Sequence, residues 1–139
     1  MKRFLFPLHR VLHYRCSQAD LERARLIALE AELNQLRQQL DSLNLSFKNE
    51  LRIVLPNPQA RVELGRYRMV VETKAIQINR HLAEKQSQIA KQKELYVKAN
   101  QAAEILTKLK DRQKHNWDLD LQKELDSLAM DSYLSRWKQ

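Results

Sequence analysis

The chain has 139 residues and a formal net charge of +8, and it contains only one glycine, three prolines and one cysteine. So few turn residues argue against a globule with many tight turns, and an aromatic content of 6% argues against a large close-packed core. A lone cysteine excludes an intramolecular disulfide, and no apolar run approaches a membrane span of roughly 18 residues or completes a signal peptide. The composition indicates long helices in a cytosolic protein.

A leucine repeat marks the first predicted helix. In the stretch LIALEAELNQLRQQLDSLNLSF, residues 26–47, apolar residues recur at alternating steps of three and four. They are Leu26, Leu29, Leu33, Leu36, Leu40, Leu43 and Phe47. A period of about 3.5 residues is that of a coiled-coil seam. Because Pro7 suits a first helical turn and Pro56 breaks a helix, the pattern predicts one helix over residues 7–54.

A proline turn at residues 55–60 separates this helix from a second one. The second helix is predicted over residues 61–112 or further, because no proline interrupts the chain after residue 58. Its predicted seam consists of Leu64, Tyr67, Val71, Lys74, Ile78, Leu82, Ile89, Tyr96, Ala99, Ala103, Leu106 and Leu109. Lys85, Gln88 and Gln92 interrupt the middle of this seam, which is therefore weaker than the first.

Two heptad-patterned helices joined by a short turn predict an all-α fold, a long two-helix antiparallel coiled-coil hairpin. If the two helices pair symmetrically around a turn centred at residue 57, residue 8 lies opposite roughly residue 106. The chain after about Lys110 then extends beyond the first helix as an overhang. This C-terminal helical overhang, residues 113–139, either binds a partner through its apolar stripe or packs on the base of the hairpin or in a dimer. The stripe consists of Trp117, Leu121, Leu125 and Leu128.

Catalytic and cofactor-binding motifs are absent from the sequence. It has no glycine-rich phosphate loop, no G-x-S-x-G and no HExxH, and a solitary hairpin offers no pocket that excludes water. We therefore expect no enzymatic activity and no cofactor. His9, His13 and Cys16 share one helical face and are zinc-binding residue types, but a fourth ligand is missing. A polar surface strip is the favoured interpretation, and no metal site is predicted.

Basic residues dominate the second helix as far as residue 114, and acidic residues follow. The residues that could contact phosphate groups are Lys91, Lys93, Lys98, Lys108, Lys110, Arg112 and Lys114. They surround the helix among Glu84, Glu94 and Glu104, with no aromatic platform for nucleic-acid bases. A solvated face, or a match to an acidic protein cavity, is therefore favoured over nucleic-acid binding, which is kept as an alternative.

Three stretches together resemble the flagellar export protein FliJ family. They are FLFPLHRVLHYR at residues 4–15, the hairpin of basic helices, and AAEILTKLKDRQKHNWDLDLQKELDSLA at residues 102–129. Members of the family typically begin with an aromatic-x-aromatic-x-Leu-Glu-x-Val-Leu pattern and end in a Lys/Arg-rich segment that leads to Leu-Asp-Glu. The sequence departs from this pattern at His9, where glutamate is usual, and at Ser127, where it is frequent.

The resemblance implies a cytosolic component of the flagellar type III export apparatus, peripherally associated with the inner membrane at the flagellar base. Members of the family form a two-helix antiparallel coiled coil similar to the stalk of the rotary ATPase gamma subunit. They bind the hexameric export ATPase and promote its ring assembly, bind the cytoplasmic domain of the export gate, and handle export chaperones. The implied membrane association is through these partners and not by insertion.

The resemblance also implies two contact regions. For the export-gate contact, near the turn, the matching residues are Phe47, Leu51, Tyr67, Val71 and Ile78. The same residues are seam positions, so a purely structural role is the competing interpretation. For the contact with the export ATPase, at the end that carries both termini, the matching residues are Lys108, Lys110, Arg112, Lys114, Trp117, Leu121 and Leu125.

Three other functions are compatible with the same residues. One is the corresponding stalk protein of a virulence secretion injectisome, which has the same architecture. Another is a basic coiled-coil adaptor that binds nucleic acid or ribosomes, whose binding would weaken steeply with salt. The third is a plain dimerisation module in which the seam of residues 26–47 meets its copy.

Overall fold

Two long helices account for most of the structure. The computed structural model describes residues 3–53 and 58–137. Within these residues α1 spans His9–Ile53, α2 spans Pro58–Trp137, and no strand is present. The predicted all-α fold, a two-helix hairpin, is confirmed.

Prolines stand at the start of both helices. Pro7 and Leu8 form a turn ahead of α1, and the N–H of His9 donates a hydrogen bond to the carbonyl of Phe6 at 3.1 Å. Pro58 is the first residue of α2, where the missing N–H costs no helical hydrogen bond. Of the predicted turn, residues 55–57 lie outside the described residues, and residues 58–60 belong to α2.

The helices divide into two compact units. The central unit, Leu21–Tyr96, contains most of α1 and the first half of α2. The terminal unit combines Met1–Asp20 with Val97–Gln139, so it contains both ends of the sequence.

The leucine repeat of α1 forms one side of the seam in the central unit. Leu33 is only 8% exposed, and on α2 Val71 and Ile89 are 5% and 7% exposed. The half-buried residues of the repeat are Leu26, Leu29, Leu36, Leu40, Leu43 and Phe47. Because each helix has a single neighbour, most seam side chains keep one edge in solvent, and burial is incomplete even at the leucines.

Contacts across the central unit establish that its helices run antiparallel. Phe47 lies against Tyr67, Glu32 pairs with Lys85, and Glu22 accepts a hydrogen bond from Gln92. Residue numbers on α2 thus increase as those of their partners on α1 decrease. The midpoint between the two residue numbers is close to 57 in each pair. This agrees with the pairing predicted from the seam.

The seam of α2 differs from the prediction at one position. Lys74 is exposed, whereas Ala75 is half-buried and occupies the seam between Val71 and Ile78. The seam there takes two successive steps of four, from Tyr67 to Val71 and from Val71 to Ala75. A helix with about 3.6 residues per turn drifts from a strict heptad, and an extra step of four corrects the drift.

Two of the polar residues that interrupt this seam are nevertheless part of it. Gln92 is 9% exposed and Lys85 is half-buried, whereas Gln88 is exposed. The Gln92 Nε2 donates to the backbone carbonyl of Glu22 at 3.1 Å and also to its carboxylate. Lys85 forms an ion pair with Glu32 across the two helices. Such pairs fix which residues of α1 face which residues of α2.

The terminal unit buries alanine, leucine and phenylalanine side chains. Ala19 and Ala103 are each 6% exposed, and Leu12 and Phe6 are each 8% exposed. Alanines on facing helices permit a close approach of the two backbones. Arg15, which lies between Leu12 and Ala19 in the sequence, is exposed.

A non-helical N-terminal segment covers a part of α2 that was predicted to overhang. The ring of Phe4 lies 6.0 Å from that of Trp117, with the two planes 52° apart. An extended chain advances about 3.3 Å per residue and a helix about 1.5 Å, so three residues ahead of Pro7 can cover at most about 10 Å, or nearly two turns of α2. Half-buried residues therefore continue along α2 as far as Leu121, and full exposure begins at residue 122 rather than soon after Lys110.

Candidate interaction surfaces

The residues matched to the export-gate contact lie in the central unit on both sides of the seam. Phe47 and Tyr67 are half-buried, with ring centroids 6.1 Å apart and planes tilted by 34°. Val71 is 5% exposed, so its side chain belongs to the core and is closed to a partner in this conformation. Leu51 is 38% exposed, and Ile78 is half-buried.

A groove of about 480 Å³ joins three of these five residues. Phe47, Leu51 and Val71 line it together with Leu64 and Gly65. Tyr67 lines a separate depression with Glu50, Ala60, Glu63 and Leu64, and Ile78 lines neither. Four of the five predicted residues are thus divided between two small hollows, and Ile78 lies outside both.

Charged side chains surround the apolar floor of this groove. Arg61, Arg68 and Glu72 belong to its lining, and the Arg68 Nε lies 2.9 Å from the Glu72 carboxylate. Both partners of this ion pair are largely exposed, so it contributes at most about 1 kcal/mol to stability. An apolar floor with a charged rim suits binding of a protein side chain better than binding of a small polar ligand.

The residues matched to the ATPase contact lie in the terminal unit. Lys108, Arg112 and Lys114 are exposed, and Lys110 is half-buried. Trp117 and Leu121 are half-buried beside the N-terminal segment, and Leu125 is 44% exposed. The set is therefore a basic helical stretch followed by an apolar stripe that becomes progressively more open.

A groove of about 850 Å³ lies between the N-terminal segment and α2. Trp117 and Leu121 line it on α2 and Phe4 and Leu5 on the N-terminal segment, and Arg3, Asp120 and Glu124 bring charges of both signs. The prediction for this region missed residues 3–5 altogether. A signal for them exists in the sequence, because an aromatic pair such as Phe4 and Phe6 ahead of a helix needs an apolar surface to pack on.

The possible zinc ligands remain without a fourth partner. His9 and His13 are exposed and Cys16 is half-buried. In residues 3–53 and 58–137, no group of three or more His, Cys, Asp or Glu side chains is placed to hold a metal ion. In the same part of the chain, no helix is both long and apolar enough to cross a membrane.

Comparison with known proteins yields no relative. No protein-family model matches the chain, and neither a curated protein nor a solved structure matches it significantly. The functional assignment therefore depends on the residues themselves and on the resemblance that they carry.

Proposed function

We propose that this protein is a non-enzymatic component of the bacterial flagellar type III export apparatus, a coiled-coil stalk that binds the export ATPase ring and promotes its assembly. In this role it links the ring to the cytoplasmic domain of the export gate and to export chaperones. It acts in the cytoplasm and reaches the inner membrane at the flagellar base through these partners.

The observation that carries the proposal is the packing of two distant stretches in the terminal unit. The stretches at residues 4–15 and 102–129 carry the resemblance to the FliJ family, and they meet at Phe4 and Trp117. Sequence segments that resemble a family at both ends of a chain are expected to form one surface if that surface binds one partner. The geometry supports a shared contact surface for the ATPase at this end.

Physical properties of a helix pair suit a stalk. Two packed helices measure roughly 20 Å across, which is narrow enough to enter the pore of a protein ring. The exposed side chains of Lys108, Arg112 and Lys114 offer charge to a ring surface without any chemistry of their own. Attraction between these basic side chains and an acidic ring surface would speed the binding of the stalk to the ring and make this binding sensitive to ionic strength.

The decisive experiment measures the ATP hydrolysis rate and the oligomer size of the export ATPase from the same genome, with and without this protein. We expect faster hydrolysis together with ring formation, and we expect a chain cut after Leu109 to lose both effects. If neither quantity changes with the full chain, the proposed function is wrong, and the adaptor and dimerisation alternatives take its place.

A matched pair of substitutions locates the contact more finely. Leu125→Glu places a charge on a 44% exposed leucine of the terminal unit, and Leu45→Glu does so on a 60% exposed leucine of the central unit. Neither leucine is buried, so both variants should keep their helicity by circular dichroism. We expect L125E to lower ATPase stimulation at least tenfold and L45E to leave it unchanged. Equal effects would argue against the terminal unit as the binding surface.

The gate contact is tested through Tyr67. Tyr67→Ala should weaken binding to the isolated cytoplasmic domain of the export gate more than its effect on helix melting explains. Ile89→Ala serves as the reference for a core residue outside the matched set, since Ile89 is buried and its truncation should lower stability without a specific loss of binding. If both variants lose binding in proportion to stability, the patch is structural only.

A further inference from the structure

An apolar stripe lies on the face of α2 that points away from its seam. Val62, Met69 and Ile76 recur every seven residues and are 63%, 70% and 55% exposed. Seven residues are nearly two helical turns, so the three side chains project in almost the same direction. Met69 stands two residues before the buried Val71, a rotation of about 200°, which places it opposite the seam.

Two arginines make this stripe basic. We use the term outer stripe for Val62, Arg66, Met69, Thr73, Ile76 and Arg80, which follow one another at steps of four and three. Arg66 and Arg80 are exposed, and neither forms an ion pair within the described residues. The Thr73 hydroxyl donates to the Met69 carbonyl at 2.9 Å, so its polar group is satisfied within the helix.

The end of α2 carries the opposite chemistry. Leu125 and Leu128 are 44% and 62% exposed. Glu124 and Asp131 lie on the same side of the helix, both are exposed, and neither forms an ion pair in the part of the chain that the structure describes. We use the term acidic tip for Leu121, Glu124, Leu125, Leu128 and Asp131.

We propose that the outer stripe of one copy of this chain binds the acidic tip of a second copy. Like charges oppose the pairing of stripe with stripe and of tip with tip, so opposite charges favour the mixed contact. The apolar spacing also agrees, because Met69 and Ile76, like Leu121 and Leu128, stand seven residues or about 10 Å apart along a helix.

This contact is heterologous, which determines how the copies assemble. Each copy that uses its tip still offers its stripe, so the assembly stays open-ended unless a rotation closes it. The surfaces are small compared with stable interfaces, which bury about 1,600 Å², so the association is weak and depends on concentration.

The experiment measures the average mass of the full chain alone by analytical ultracentrifugation over a wide range of protein concentration. We expect the average mass to rise with concentration at low salt and to return toward the monomer at high salt, because exposed charges are screened. Since no ATPase is present, the result is independent of the proposed stalk function.

Two variants and their mixture test the pairing itself. Met69→Glu disables the outer stripe by placing a carboxylate against the acidic tip, and Leu128→Lys disables the tip by placing an ammonium against the arginines. Each variant alone should associate at least tenfold more weakly than the unaltered chain. An equimolar mixture should associate again, because the intact tip of the M69E chain can bind the intact stripe of the L128K chain.

Ile27→Glu is the matched control. Ile27 is 56% exposed on α1, close to the value for Ile76, but it belongs to neither surface. This variant should associate like the unaltered chain, and circular dichroism should give the same helicity for every variant. A chain that stays monomeric at all concentrations in low salt overturns the proposal. So does association that survives both M69E and L128K, or a mixture that remains monomeric while the unaltered chain associates.

Discussion

The central unit pairs its helices through a leucine seam that contains polar contacts, whereas the buried side chains of the terminal unit are all apolar: two alanines, a leucine and a phenylalanine. Gln92 and Glu22 form the polar contact that is most shielded from water in the central unit. In the terminal unit, no hydrogen bond or ion pair joins α1 to α2 within the described residues. One of its ring contacts instead joins α2 to the N-terminal segment, at Phe4.

This difference separates two ways of fixing a helix pair. A polar pair inside a seam is satisfied in one register only, so it opposes sliding of one helix along the other. Alanines allow a close approach of the two helices, but a methyl group packs equally well against many neighbours. Alanines by themselves therefore do little to fix the register of the two helices. An aromatic ring on a non-helical segment supplies an anchor at one point. We therefore expect the central unit to define the register and the terminal unit to remain the more adaptable surface.

The largest expected effect comes from a matched pair of core truncations. Leu33→Ala in the central unit and Leu12→Ala in the terminal unit remove the same atoms from positions that are each 8% exposed. Each should lower the free energy of unfolding by about 2–3 kcal/mol. Hydrogen exchange should locate the loss of protection in the unit that carries the substitution. A loss that spreads equally over both units would mean that they unfold as one.

The polar contact of the central unit has the next largest expected effect. Gln92→Leu should cost about 1 kcal/mol, because the Glu22 carboxylate then keeps only Arg25, at 3.0 Å, as a partner. The double change Glu22→Leu with Gln92→Leu should instead raise stability by about 1–2 kcal/mol, since an apolar pair needs no desolvation of a charge. Thermal melting of the two single variants and the double variant checks both the predicted loss of stability and the predicted gain. A double variant less stable than either single one would contradict this reasoning.

The aromatic anchor of the terminal unit is tested by Phe4→Ala. Loss of the ring contact should cost about 1 kcal/mol and leave Trp117 more exposed to water. The fluorescence of Trp117, read in a Trp137→Phe background, should shift to longer wavelength. Phe47→Ala is the matched change in the central unit, and it should leave this fluorescence as it was. An unshifted Phe4→Ala spectrum would show that the segment does not hold the tryptophan.

The smallest effect concerns helix propensity rather than packing. An added Cβ at Gly65 meets nothing within 4 Å, and its φ is not positive, so Gly65→Ala should stabilise the central unit by about 0.5–1 kcal/mol. The exposed Ala83→Gly is the reverse control and should cost a similar amount. If Gly65→Ala destabilises the protein, the groove beside Phe47 needs the space that glycine leaves.

Much of the fold was predictable because apolar side chains that recur about every 3.5 residues lie on one face of a helix, and that face packs against the partner helix. All the repeat positions from Leu26 to Phe47 are buried or half-buried, and a pairing centre near residue 57 follows from the prolines at positions 56 and 58. The exchange of Lys74 for Ala75 in the seam was not predictable from spacing alone. Either residue fits a step of three or four, and only the position of the partner helix decides between them.

The contact surfaces were predictable only in part. Trp117 and Leu121 were predicted as part of an apolar stripe, but their covering by residues 3–5 was not predicted, because a non-helical segment this short has no periodic pattern. The residues matched to the gate contact were identified as ambiguous between core and surface. The structure buries Val71 and leaves Leu51 partly open, a distinction that depends on where each stands relative to the facing helix.

The sequence by itself determined that this protein is a pair of long helices, since apolar periodicity and the scarcity of glycine and proline act locally and need no knowledge of the partner. Only the tertiary structure decided which polar side chains become part of the seam and which apolar ones stay outside. Gln92 and Met69 are the clearest examples, one polar and 9% exposed, the other apolar and 70% exposed. Burial depends on whether a side chain points toward the other helix, and the hydrophobicity of a residue does not by itself reveal where its side chain points.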